Sequence, residues 1–169
     1  AAMLQPYQGN PTNSGILLMD AEGLFEIAFE AAQNGLALAV HAIGDRANHE
    51  VLKAYAQLRV VEAGLPGYKP EHPLRHRIEH CGNITEDQIG RAAAMNILVS
   101  SQPMFLSVLG DGFLEAFDAE RAHRLYPYRS LIDRGIRPET LPAAEDVKKV
   151  ERRLAAEEKK SLKNPDALD

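Results

Sequence analysis

The stretch that decides the fold is Leu36-Ala37-Leu38-Ala39-Val40-His41-Ala42-Ile43-Gly44-Asp45-Arg46. Its first five residues are continuously apolar, as in a parallel strand that is covered on both faces, and His41 follows at once. Gly44 and Asp45 predict a tight turn and a helix N-cap. Apolar spacing then predicts a helix over residues 46–63. The stretch is thus a βα unit with a histidine where the strand opens into a loop.

The same alternation continues on both sides of this unit. An apolar run predicts one further short strand, the rhythm of alternating strands and helices predicts another, and helical spacing with capping residues predicts the segments between and around them. The strands are expected at residues 74–80 and 97–100, the helices at residues 20–34, 85–95 and 128–134, and a loop followed by a helix over residues 105–123. Because strands and helices alternate, the predicted fold class is α/β with a parallel sheet.

The character of the chain changes after Gly135 and Ile136. Residues 143–163 consist mostly of Ala, Glu, Lys and Arg with sparse apolar positions, which predicts one helix with a narrow apolar stripe. A solvated face is the simpler interpretation of these charges, and a partner helix is the alternative. We therefore divide the chain into an α/β unit, residues 1–136, and a divergent helical charged tail, residues 137–169.

Composition excludes several classes of protein. The net charge of −5 disfavours nucleic acid as a partner. No apolar stretch approaches the roughly 20 residues that span a bilayer. The single cysteine, Cys81, cannot form an internal disulfide, which favours a reducing compartment such as the cytoplasm. The chain opens without Met and without a basic, apolar leader, so we expect a processed or excised product.

A second histidine motif follows the first by about one βα unit. It reads Arg75-His76-Arg77-Ile78-Glu79-His80, and His80 closes the predicted strand. The carboxyl ends of barrel strands form the face where ligands and catalysts lie. Neighbouring strands are about 4.8 Å apart, so the imidazoles of His41 and His80 should lie within about 8 Å of each other. Such a pair is half of a metal site.

Four pieces of the sequence together resemble the amidohydrolase superfamily. They are His41-Ala42-Ile43-Gly44-Asp45-Arg46-Ala47, residues 75–80, Ser100-Ser101-Gln102-Pro103 and Tyr126-Pro127-Tyr128-Arg129-Ser130-Leu131. The closer resemblance is to amidohydrolase family 3, the branch that includes N-substituted formamide deformylases, and it covers residues 1–136. It implies a TIM-like (β/α)8 barrel, of which this chain carries the fifth to seventh βα units and is therefore incomplete.

The resemblance also implies the chemistry. Family members bind one or two divalent metals, usually zinc, through a His-x-His, a carboxylated Lys, two further histidines and an Asp. By motif, His41 takes the fifth-strand position and His80 the sixth. The metal lowers the pKa of bound water and polarises a carbonyl, and the Asp accepts the proton. The implied activity is hydrolysis of a non-peptide carbon–nitrogen, amide-like bond in a small molecule.

The sequence also departs from the family pattern. It contains no His-x-His, and residues 137–140 do not supply the expected Asp. We therefore expect the isolated chain to be inactive. The alternative is a non-catalytic fragment or truncated relative that acts as a structural or assembly subunit. Strands cut from a barrel have unpaired edges, so we expect self-association, pairing with the rest of a barrel, or coverage of the inner sheet face at Leu38 and Leu98 by the tail.

Simpler structural roles are expected for the other polar residues of the motifs. Asp45 is interpreted as a helix cap or an anchor for Arg46, and Arg77 as an ion-pair partner of Glu79 rather than a substrate contact. Cys81 is interpreted as a small buried filler. Of the remaining histidines, His49, His72 and His123 are expected at the surface, and His76 at a surface or structural position.

Overall fold

A computed structural model describes residues 1–71 and 73–136 of the chain. Within these residues the sheet has three strands, β1 (Ala39–Ala42), β2 (Arg77–His80) and β3 (Leu98–Ser100), in the order β1-β2-β3. Both pairings are parallel. The prediction of a parallel α/β arrangement is therefore confirmed.

The helices alternate with the strands and then continue beyond them. Three belong to the βα series: α1 (Ala21–Gln33) precedes β1, α2 (Asp45–Glu62) joins β1 to β2, and α3 (Glu86–Ala94) joins β2 to β3. Three more follow β3: α4 (Met104–Ala116), α5 (Ala119–His123) and α6 (Tyr128–Asp133). In the described part of the chain, no helix is both long and apolar enough to cross a membrane.

The main core lies between one face of the sheet and helices α1, α2 and α3. Strand residues Val40, Ile78 and Val99 pack there, and Ile78 and Val99 are fully buried. Parallel register places these three side by side, since Val40 pairs with Ile78 and Ile78 with Val99. Helix residues such as Leu52 and Ile89 cover them without exposed surface. The opposite sheet face carries the alternate residues of each strand.

Local capping explains where the helices begin. Asp20 precedes α1, and its carboxylate accepts a hydrogen bond of 3.0 Å from the N–H of Gly23. Thr85 and Gln88 form a reciprocal capping box at the start of α3, which satisfies two N–H groups that a helix N-terminus leaves free. Both starts agree with the sequence.

The boundaries of two strands differ from those predicted. β1 begins at Ala39 rather than Leu36, because the N–H of Leu36 bonds to the carbonyl of Ala31 and closes the end of α1. His41 therefore lies inside β1 rather than after it. β2 begins at Arg77 rather than at residue 74. At this position the N–H of Arg77 donates a hydrogen bond to the carbonyl of Leu38.

The predicted loop and helix over residues 105–123 are two helices in the structure, α4 and α5. Phe117 is extended, with φ −128° and ψ 146°, and it separates α4 from α5. Asp118 then caps α5 by accepting a hydrogen bond of 2.9 Å from the N–H of Arg121. Phe117 packs against Tyr7, with the ring centroids 5.4 Å apart. The break between the two helices therefore falls at a residue whose side chain is buried against a distant part of the chain.

The expectation that Leu38 and Leu98 share the inner sheet face is wrong. Leu98 pairs with Arg77, and Arg77 pairs with Ala39, so these three residues share the sheet face that points away from the main core. Leu38 precedes Ala39 and packs with Val40 against the helix-side core, as alternation of side chains along a strand requires. The predicted tail, residues 137–169, lies outside the described residues.

Candidate metal centre

His41 and His80 lie together at the carboxyl ends of β1 and β2. Their ring centroids are 4.5 Å apart, and the rings meet edge to face at an interplanar angle of 75°. The prediction that these side chains lie within about 8 Å of each other is confirmed. Two imidazoles at this separation present two nitrogen donors to one small volume.

The register alone does not bring these two rings together. His41 pairs with Glu79, and Ala42 pairs with His80, so strict alternation would send the two histidines to opposite faces. His80 has a φ of 71°, in the left-handed region. This conformation ends the regular strand and turns the side chain of His80 toward that of His41.

The turn at the end of β2 is strained and is held by its neighbours. Cys81 also has a positive φ, 53°, and such residues cost on the order of 1–3 kcal/mol each. The N–H of Cys81 donates to the carbonyl of Ala42 at 3.0 Å. The hydroxyl of Ser101 donates to the carbonyl of His80 at 2.8 Å. The backbone under His80 is therefore tied to both neighbouring strand ends.

The segment after β3 contributes two side chains that sequence reasoning did not assign to the site. Oε1 of Gln102 lies 2.5 Å from Nδ1 of His80. The ring of Phe105 stacks against that of His80, with the centroids 6.0 Å apart. One feature of the sequence could have indicated that Gln102 belongs to the site. It is a polar residue shortly after the third predicted strand, and the two histidines stand at the ends of the first two predicted strands.

The surroundings favour the neutral form of His41. Partial burial lowers the pKa of His41, and the nearby His80 and the N-terminal amino group lower it further. A neutral imidazole keeps a lone pair for a metal or a proton. Cys81 is fully buried, which raises the pKa of its thiol to about 12. Such a thiol is inert, in agreement with its expected role as a filler.

The other residues of the two motifs have structural contacts. Nε of Arg77 lies 2.5 Å from Oε1 of Glu79, which confirms their ion pair. The interpretation of Asp45 is wrong: Gly44 is the N-cap of α2. The buried carboxylate of Asp45 instead accepts a hydrogen bond of 2.7 Å from the N–H of Leu4. Arg46 is exposed.

The remaining histidines lie away from the pair. His76 is fully buried in a structural network with Glu62 and Tyr55. His49 is half-buried on α2, and His123 is exposed at the end of α5. His72 lies outside the described residues.

The pair fits part of a zinc ligand set. Neutral imidazole nitrogens are common zinc ligands, and a structural or catalytic site uses three or four protein ligands. Among the described residues there is no group of three or more His, Cys, Asp or Glu side chains placed to hold a metal ion. The described part of the chain thus places two imidazoles together without a third metal-binding side chain beside them.

Parallel βα units with polar side chains at the carboxyl ends of the strands are typical of the TIM-barrel class. Two solved structures agree with this class. They are an uncharacterized metal-dependent hydrolase from Pyrococcus furiosus, with a TM-score of 0.65, and one from Pyrococcus horikoshii OT3, with a TM-score of 0.63. Each is 30% identical over 79% of this chain, which covers 25% and 24% of the respective structures.

The family model described as "Amidohydrolase family" matches residues 1–140. The chain belongs to this family. YtcJ of Bacillus subtilis (strain 168) is 29% identical over 80% of this chain, and Protein LONG AFTER FAR-RED 3 of Arabidopsis thaliana is 30% identical over 79%. The matched region spans 24% and 22% of these two relatives, so the chain corresponds to less than a quarter of their length.

Proposed function

We propose that this chain supplies part of the active site of a metal-dependent hydrolase that cleaves a non-peptide carbon–nitrogen, amide-like bond in a small molecule. The observation that carries the proposal is the placement of His41 and His80, 4.5 Å apart, at the ends of adjacent parallel strands. Family membership supports the same class of chemistry. The single buried thiol, Cys81, is compatible with a reducing compartment such as the cytoplasm.

The proposed ligands to a divalent metal, zinc by donor type, are the imidazoles of His41 and His80. When bound, such a metal lowers the pKa of water and polarises a carbonyl. The lowered pKa of His41 keeps its ring neutral near pH 7, in the form that binds metal. Phe105 stacks on the ring of His80, with the centroids 6.0 Å apart.

The isolated chain should nevertheless show no appreciable amide hydrolysis. Its described residues hold two candidate ligands rather than three or four, and the resemblance implies a proton acceptor on a strand outside them. General-base catalysis alone is worth about 10²–10⁴-fold in rate. Robust zinc-dependent turnover by this chain, abolished by His80→Ala, would show that it carries a complete site.

A metal titration tests the ligand assignment directly. We expect the purified chain to bind Co²⁺ or Zn²⁺ weakly, and we expect His41→Ala and His80→Ala each to abolish that binding. His123→Ala is the matched control, because His123 is exposed and distant in sequence from both motifs. Equal metal binding by all three variants and the wild type would contradict the assignment.

One observation favours the second candidate, a structural or assembly subunit without catalysis. The described residues contain no cluster of three metal-binding side chains. Under this alternative, metal binding would not depend on His41 or His80 at any concentration. The same metal titration therefore distinguishes the two proposals.

A further inference from the structure

We propose that Gln102 is a positioning residue that holds the ring of His80 in one tautomer, with Nδ1 protonated and Nε2 free. Gln102 follows β3 and contacts the ring of His80, although it is not itself placed as a ligand. The tautomer follows from the hydrogen bonds of the chain alone. Only its consequence for metal binding rests on the proposed function.

The carbonyl of Ser100 sets the orientation of the Gln102 amide. Nε2 of Gln102 lies 3.3 Å from this carbonyl oxygen and donates to it. A carbonyl can only accept a hydrogen bond, so the amide nitrogen must face Ser100. The amide oxygen, Oε1, then faces His80.

The oriented amide in turn selects the tautomer of His80. Oε1 of Gln102 is 2.5 Å from Nδ1 of His80, and an amide oxygen can only accept. Nδ1 must therefore carry the proton and donate it. In a neutral imidazole with a proton on Nδ1, the lone pair is on Nε2. Metal-binding histidines commonly donate their other ring N–H to a protein acceptor in this way.

Three further contacts keep the ring in the orientation that this hydrogen bond requires. The hydroxyl of Ser101 donates to the carbonyl of His80 at 2.8 Å and so fixes the strained backbone. Phe105 stacks on the same ring at 6.0 Å, and His41 meets its edge at 4.5 Å. Ring rotation would break the bond to Gln102 and disturb both ring contacts.

The tautomer can be measured without any metal. In the ¹⁵N-labelled chain at alkaline pH, long-range ¹H–¹⁵N correlation spectra distinguish a protonated Nδ1 from a protonated Nε2. We expect the Nδ1–H tautomer for His80 in the wild type. Gln102→Leu keeps the approximate size but removes the acceptor, so the Nε2–H tautomer should become populated. Gln102→Glu keeps an acceptor and should preserve the Nδ1–H tautomer, while His123 serves as an internal control in every spectrum.

Two results would overturn the proposal. One is a wild-type His80 with its proton on Nε2. The other is a Gln102→Leu variant whose His80 tautomer is unchanged while circular dichroism shows a folded chain. If Gln102→Leu does not fold, the wild-type and Gln102→Glu spectra still decide the first point.

Zinc titration of the same three proteins tests the consequence for the site. Loss of a hydrogen-bonding partner to a ligand typically weakens metal affinity about 10–100-fold. We expect a loss of this size in Gln102→Leu and near wild-type affinity in Gln102→Glu. If the wild type binds no zinc through His80, the proposed function fails and the tautomer result stands. If zinc binds through His80 with equal affinity in all three proteins, the positioning role fails and the proposed function stands.

Discussion

His76 shows how a histidine in a metal-site motif can have a purely structural role. Its ring is fully buried and stacks on Tyr55, with the centroids 5.2 Å apart. Nδ1 accepts a hydrogen bond of 3.1 Å from the N–H of Leu38, so Nε2 must be the donor toward Oε1 of Glu62, 3.2 Å away. The neutral ring therefore ties β1 to α2.

This network predicts a dependence of stability on pH. Burial lowers the pKa of His76, and the charge of Arg59 adds to this effect although Glu62 opposes it. The native state thus binds fewer protons than the unfolded state, in which the pKa is about 6.5. The stability from the neutral ring is complete above about pH 6.5 and is lost as the pH falls toward the native pKa.

Urea unfolding at about pH 7.5 and about pH 5.5 checks this prediction. The free energy of unfolding should fall more steeply with acid in the wild type than in His76→Gln, which has no imidazole to protonate. His49→Gln, at a half-buried position on α2, should keep the wild-type slope. Parallel slopes for wild type and His76→Gln would contradict the prediction.

At the scale of single residues, the sequence was sufficient to predict those candidate site residues whose position follows from the local sequence pattern. His41 and His80 stand at the ends of predicted strands, and this position was enough to place them at one edge of the sheet, although the left-handed backbone of His80 was not predicted. Asp45 and Gln102 were not predicted, because their partners are distant in sequence: Asp45 bonds to Leu4, and Gln102 to His80. No local pattern records such contacts.

At the scale of elements, the turn between β1 and α2 depends on one close backbone approach. A Cβ atom on Gly44 would lie 1.9 Å from the carbonyl oxygen of Ala2. Gly44→Ala should therefore displace the N-terminal segment and lower the free energy of unfolding by roughly 1–3 kcal/mol.

Gly112→Ala is the matched control for this substitution. Gly112 lies in α4, and a Cβ atom added there would meet no heavy atom within 4 Å apart from its own helix backbone and chain neighbours. Since alanine favours a helix over glycine by up to about 1 kcal/mol, this variant should be neutral or more stable. Urea midpoints of the two variants give the comparison, and equal destabilisation would argue against the close contact at Gly44.

The kinds of elements were predictable, whereas some boundaries were not. Leu36 is apolar and adjoins an apolar run, yet its N–H closes α1 rather than pairing in the sheet. The break between α4 and α5 depends on Phe117 packing against Tyr7, a contact between distant parts of the chain. The spacing of apolar residues cannot distinguish the observed boundaries from the predicted ones, because both are compatible with the same local sequence.

At the scale of the whole molecule, the three described strands leave two edges of the sheet. β1 and β3 each pair with β2 and with no other described strand. A closed barrel has no such edges. The fold class could be predicted, because every βα unit repeats the same pattern. A complete set of metal ligands could not be predicted, since the described residues hold no group of three or more His, Cys, Asp or Glu side chains placed to bind a metal ion.

An apolar groove of about 500 Å³ runs beside the outer edge of β1. It is lined by Val40 and His41 of β1, by residues 16–19 before α1, and by residues of α1, α2 and the N-terminal segment. Leu18 and Ile16 line the groove and remain 92% and 78% exposed. Apolar surface next to an unpaired strand edge is costly in water and favours association.

We therefore expect the isolated chain to self-associate, with a specific interface burying more than about 1,000 Å² in total. Sedimentation velocity should show species larger than the 18.6 kDa monomer. Leu18→Glu places a charge in the groove and should shift the equilibrium toward monomer. Val60→Glu, on a position of α2 that is 78% exposed and outside the groove, should not. A strictly monomeric wild-type chain would contradict this expectation.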